Sequence, residues 1–306
     1  MISLLLIVKI TQLFIIMLIG CIITKLKIVK GEDSLVLSKI SLYVLLPSAI
    51  INAFNVEVND DIKRGLLLAF AASLVIHIIL FLVDAVYKRI TDASSVERGS
   101  SIYSNAANLI IPIVSYVLGE EWVIYSCAYM SVQLVFLWTH GISLFDTKKK
   151  SIKKILLNVN IIAIAIGLLL MFANVKLPEI IVDAIASLGN MLGPVSMLIA
   201  GMLIAKNNLK DIFSNKRTYR VILMRMIVYP LVVLAVMKTA LYFMNTPDVK
   251  EILLIPYLAA ITPTAATVMQ FAQVHDVDVE LAVSSNIATT LCCLVTMPVM
   301  VFLYML

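Results

Sequence analysis

Asn105-Ala-Ala-Asn-Leu-Ile-Ile-Pro112 lies inside an apolar segment long enough to cross a membrane, yet it carries two amides and a proline. A proline inside a helix removes one donor and frees a carbonyl one turn back. In hydrocarbon such groups must be met by protein or by water in a cavity. About 150 residues on, Thr262-Pro263-Thr264 repeats the device in a second apolar segment. Two interrupted spans at matching places in two halves are a sequence sign of a transporter binding site.

Working outward, the chain has 306 residues, 61% of them hydrophobic and only 14% charged, and its mean hydropathy is +1.02. Soluble domains hold apolar usage near one half. Apolar runs of about 20 residues recur throughout, each enough to cross about 30 Å of hydrocarbon. The fold class is an all-α polytopic membrane protein. A β-barrel would alternate polar and apolar residues instead. Ten spans are expected, near 2–24, 34–55, 64–87, 98–118, 121–145, 155–174, 178–205, 218–243, 250–272 and 279–304. The first lacks a basic leader and a cleavage site, so it reads as a retained span.

The net charge of +5 reports orientation, not nucleic-acid binding. Alternate loops concentrate the basic residues, at Lys25 to Lys39, Lys88 to Arg98, Lys148 to Lys154 and Lys206 to Arg220. Basic loops stay cytoplasmic, which places both termini outside the cytoplasm. The loop 148–154 divides the chain into five-span halves, 1–147 and 155–306. An odd number of spans per half implies inverted repeats. Pro47 in the second span and Pro194 in the seventh are matching breaks, as are Pro112 in the fourth and Pro263 in the ninth.

Cys21, Cys127, Cys292 and Cys293 have no metal or redox spacing, and no metal or cofactor is expected. Motifs of zinc, aspartyl and serine intramembrane hydrolases are missing, so the chain does not read as an enzyme.

The candidate site is the meeting of the interrupted spans. Half-helix N-termini hold anions through free N–H groups and a positive dipole end. Asn105 and Asn108 add amide donors, and Thr262 and Thr264 add hydroxyls from the other half. Gln133 and Trp138 of the fifth span are pocket candidates, with an interhelical hydrogen bond as the plain alternative for Gln133. His77 and Asp84 lie seven residues apart on one face and are candidates for proton coupling. A Lys88 ion pair is the alternative for Asp84. Arg225 is read near the cytoplasmic end of the eighth span.

Three stretches carry a family likeness. They are Asn105-x-x-Asn-x-x-x-Pro112, the run from Leu188 through Gly193-Pro194 to Ala205, and the tail from Thr262-Pro-Thr through Phe271 to Thr289-Thr290 and Pro298. On these the whole chain resembles the auxin efflux carrier family, secondary transporters that include plant auxin exporters and bacterial malate-permease-like proteins. The resemblance implies ten spans with crossed fourth and ninth helices and an organic anion bound where they meet. It also implies a bundle that moves as an elevator against a scaffold of the first, second, sixth and seventh spans. The chain departs from the family pattern at Ala107 and Ile110, where glycines are common, and at Thr262 and Thr264. Substrate identity is therefore open between mono- and dicarboxylates. Coupling to Na+ or H+ is also open, as in the alternative of a sodium-coupled bile-acid-type symporter. A non-transporting ligand sensor is the alternative of another class. The expected partners are the anion and membrane lipid, with no nucleic acid; a homodimer is compatible with the sequence and not required by it.

Overall fold

The computed structural model describes residues 2–55, 59–145, 157–173, 175–206, 213–244 and 248–306. The basic loop 148–154 lies outside these. Among the described residues the chain is helical throughout, with one isolated antiparallel bridge between Ser104 and Thr264.

The helices follow in order as α1 (Ile2–Lys25), α2 (Gly31–Ala53), α3 (Asp60–Thr91), α4a (Ser95–Ile102) and α4b (Ala106–Val117). Then come α5 (Glu120–Gly141), α6 (Val159–Phe172), α7 (Glu179–Lys206) and α8 (Lys216–Phe243). The last are α9a (Val249–Ala260), α9b (Ala266–His275) and α10 (Val279–Met305). Six of them, α2, α3, α5, α7, α8 and α10, are long and apolar enough to cross a membrane.

Polar caps set some of the starts. Asn59 accepts from the Ile62 N–H at 2.7 Å, and Ser94 with Glu97 forms a reciprocal capping box. Asp92 ends α3 in the left-handed region, φ 50°. Helix α3 outruns its apolar stretch at both ends because Asp60 and Asp61 suit a helix start, and Lys88 and Arg89 suit a helix end.

The helices pack as two groups. In one, α1 lies against α7 almost backbone to backbone: a Cβ on Gly201 would fall 1.9 Å from the Met17 carbonyl, and one on Gly20 would fall 2.4 Å from that of Leu198. Gly167 of α6 meets Phe54, just past the end of α2, and Gly189 of α7 meets Ala49 of α2. Small residues permit this approach, where helix association rests on van der Waals contact. The other group holds α3, α4, α5, α8, α9 and α10 around the largest part of the core, including Tyr103, Tyr129, Tyr229 and Tyr257.

Two proline expectations change. The break in α4 falls at Tyr103–Asn105, and Pro112 sits inside α4b. The chain opens where it gains tertiary partners, since the Asn105 N–H donates to the Pro263 carbonyl at 2.7 Å and the Ala265 N–H to the Tyr103 carbonyl at 2.9 Å. Pro194 likewise lies within a helical stretch, Leu192–Lys206, just after a turn at Met191. Pro263 does lie in the α9 break.

Candidate functional site

Two extended linkers, 103–105 and 263–265, cross as a minimal antiparallel pair. Each is also held on its outer edge by a side chain of its own half. On the first, Gln133 of α5 donates to the Ser104 carbonyl at 2.9 Å and accepts from the Ser104 N–H at 3.1 Å. On the second, Asn286 of α10 donates to the Thr264 carbonyl at 2.9 Å, and the Thr289 hydroxyl accepts from the Thr264 N–H at 3.1 Å. Side chains thus supply what neighbouring strands would supply in a sheet, as buried backbone groups require.

The crossing separates two unlike ends. On one face stand the carbonyl ends of α4a and α9a. There Arg225 of α8, wholly buried, donates through Nε to the Thr262 carbonyl at 2.9 Å. Its Nη1 donates to Ser101 and Ile102 at 3.2 and 3.3 Å, and its Nη2 to Thr262 at 2.7 Å and to Ala260. Thr264 Oγ1 donates to the Ser100 carbonyl at 2.9 Å, and the Tyr103 N–H meets Gly99. Every one of the last four carbonyls of α4a therefore has a partner, although such ends are left open by the helix itself.

On the other face stand the N-terminal ends of α4b and α9b. Two adjoining cavities, of about 100 and 50 Å³, share Leu42, Asn105, Asn108, Thr267 and Gln270 in their walls. Among the described residues, no charged side chain lines either cavity. Asn105 caps α4b, and the Asn108 amide donates to its side-chain oxygen at 3.0 Å. The larger cavity adds Gln133, Trp138, Asn158 and Asn160, with Trp138 set edge-on to Phe271 at 5.3 Å. The smaller adds Ser41, Ser196, Asn286 and Thr290. Ser41 Oγ, Ser196 Oγ and Asn160 Oδ1 are buried without a protein partner, and a buried polar atom left so costs about 1–3 kcal/mol. A third cavity, of about 840 Å³, lies between α2, α4b, the start of α5, and α7; Asn52, Pro112, Glu120, Glu121, Asn190 and Pro194 are in its wall.

Three wide turns of π geometry serve this centre. Ser41–Leu45 in α2 brings Ser41 and Leu42 to the cavities, Leu137–Gly141 in α5 brings Trp138, and Met224–Val228 in α8 brings Arg225. Pro47 and Pro230 each stand two residues past such a turn. Their missing N–H groups favour the slipped pattern, so Pro47 shapes α2 instead of lining the cavities.

Of the residues expected at the site, Asn105, Asn108, Gln133 and Trp138 are brought together. Thr262 and Thr264 lie on the opposite face. Their hydroxyls serve the Ala259 and Ser100 carbonyls, and both residues are fully buried. His77 and Asp84 do not meet. The His77 Nδ1–H donates to the Ser73 carbonyl at 2.7 Å, and the ring packs on Tyr129 and Phe136. Asp84 is gripped by Arg98 of α4a at 2.6 to 3.2 Å, so its ion partner is Arg98 and not Lys88. The sequence reading passed over Thr267 and Gln270. Their i,i+3 spacing at the start of α9b echoes Asn105 and Asn108 on α4b. Arg225, expected near the cytoplasmic end of α8, lies in the first half of that helix and is wholly buried.

A family model described as "Membrane transport protein" matches residues 5–155 and 147–301. No curated protein matches the chain.

Proposed function

This chain belongs to that family of auxin efflux carrier-like membrane transport proteins, and from that premise we propose that it carries a small organic anion, a mono- or dicarboxylate, bound in the cavities beside the crossed linkers. The observation that carries the reading is the convergence of two helix N-termini on uncharged, amide-lined space. Each N-terminal end is worth about half a positive charge. The matching negative ends of α4a and α9a are turned away and met by Arg225. The cavity face is thus left with a field of about one positive charge, suited to one carboxylate. Asn105, Asn108, Thr267 and Gln270 orient the carboxylate, and Trp138 borders the body of the substrate.

In this reading the chain crosses the membrane ten times, as two inverted five-helix repeats, 1–147 and 155–306, joined by the cytoplasmic loop 148–154. Both termini face away from the cytoplasm of a plasma membrane. The group α1, α2, α6 and α7 is a scaffold, and the other helices ride against it as an elevator. Two features support this division. The three cavities described above lie on the boundary between the groups, whereas another, of about 320 Å³, lies within the first group between α2, α6 and α7. The described ion pairs between helices fall within a group: Asp84–Arg98, Glu97 with Arg217 and Arg220, and Arg217–Asp278 in the bundle, and Glu32–Lys206 in the scaffold.

The test is uptake of labelled malate and indole-3-acetate into proteoliposomes, with and without sodium. Saturable uptake lost in Asn105→Ala fits the proposal. Tight binding without flux would favour a ligand sensor, and strict sodium dependence would favour a coupled symporter.

A further inference from the structure

We propose that Arg225 is a tethered cation, filling the place where the carbonyl ends of two broken helices would otherwise take up a free ion, and that its charge locks the crossing. Broken-helix transporters offer such carbonyl ends to coupling cations. Here five carbonyl contacts, to Ser101, Ile102, Ala260 and twice to Thr262, use the five N–H donors of one guanidinium. The side chain has no exposed surface, and its contacts above are all to backbone oxygen, with no carboxylate among them. A charge buried without a counter-ion is held only where dipoles replace the ion. Two helix C-termini, at about half a negative charge each, sum to that counter-charge.

The arrangement also explains why Arg225 is placed on α8. The wide turn Met224–Val228, two residues before Pro230, turns the residue inward in the first half of the helix. From there one side chain reaches the end of α4a in the first half and the end of α9a in the second. Arg225 is a positioning residue: it is not among the residues that line either cavity, and it holds the chain just before the two linkers that lead to Ala106 and Ala266, where the second half-helices begin.

The test is hydrogen exchange of purified full-length protein, read on peptides covering 103–108 and 262–268, and it needs no knowledge of what is transported. Failure of this inference is therefore separable from failure of the carboxylate reading. Arg225→Ala is expected to raise exchange there about tenfold or more, the worth of a lost charge-assisted hydrogen bond, with other helices near wild type. Guanidinium chloride at low millimolar concentration should restore protection. Urea, of the same shape without the charge, and choline chloride should not. Equal rescue by urea, or wild-type exchange in Arg225→Ala, overturns the proposal. Should Arg225→Ala fail to fold, Arg225→Lys and Arg225→Met decide. The lysine variant should fold and protect the linkers more than the methionine variant. Equal protection in the two, or failure of Arg225→Lys to fold, overturns it.

Discussion

Gln133 treats Ser104 as a neighbouring strand would, giving its amide N–H to the Ser104 carbonyl at 2.9 Å and taking the Ser104 N–H at 3.1 Å. Both ends of a buried side chain are thereby spent on one residue of the α4 linker. Gln133→Ala takes the side-chain partner from both backbone groups of the buried Ser104. The expected loss is about 2–6 kcal/mol, from about 1–3 for each unsatisfied group. It should be seen as a lower Tm in detergent. Gln133→Glu keeps the acceptor and should fall between.

Asn105→Ala and Asn108→Ala should remove carboxylate binding while expression and monodispersity stay near wild type. Both residues are part-buried at the cavities, and among the described residues their side-chain amides bond to each other. Thermal shift with and without ligand checks this. Aggregation of both variants would make the amides structural.

Gln270→Ala and Thr267→Val should weaken the same binding, since they wall both cavities from α9b. Thr262→Val should lower stability and leave affinity unchanged, because its hydroxyl bonds the Ala259 carbonyl on the far face. Isothermal titration of folded variants separates these outcomes.

Gly201→Ala should cost about 1–3 kcal/mol or more, the range for overpacked sites, because its new Cβ would fall 1.9 Å from the Met17 carbonyl. Fluorescence-detected size exclusion on heating reports it. A neutral result would mean that α1 and α7 slide apart readily, against a rigid scaffold.

His77→Gln should leave the pH dependence of flux unchanged between about pH 5 and 8, the range in which a free histidine titrates. Its Nδ1 is tied to Ser73, and Asp84 is tied to Arg98 on another helix. Asp84→Asn should instead destabilise the fold, as breaking one side of a buried pair does by about 3–5 kcal/mol. Uptake at stepped pH, together with Tm, distinguishes the two residues.

Much of the frame was legible in sequence because hydropathy and caps act locally. The apolar spans expected near 155–174 and 64–87 correspond to α6, which begins at Val159 after its cap Asn158, and α3, which begins at Asp60 after its cap Asn59. Pro263 lies in the α9 linker, where a local rule acts, since the residue before a proline leans to extended backbone. The α4 linker was misplaced at Pro112 because that break is made by distant partners, Pro263, Thr264 and Gln133. Thr262 and Thr264 were assigned to the site because a hydroxyl's direction depends on which carbonyl lies beside it. Arg225 was undervalued because a π turn, which no periodicity announces, carries it inward. Thr267 and Gln270 had a readable signal, the repeat of the Asn105–Asn108 spacing.

The most direct measurement is the thermal shift of purified protein against mono- and dicarboxylates, indole acids, and their neutral amides and esters, for wild type and Asn105→Ala. A ligand that binds only the folded state raises the midpoint with concentration over affinity. The account predicts that at least one carboxylate stabilises wild type, that its neutral amide does not, and that Asn105→Ala loses the effect. Stabilisation by the neutral analogue as strong as by the acid, or an undiminished shift in Asn105→Ala, would contradict an anion site at the crossed linkers.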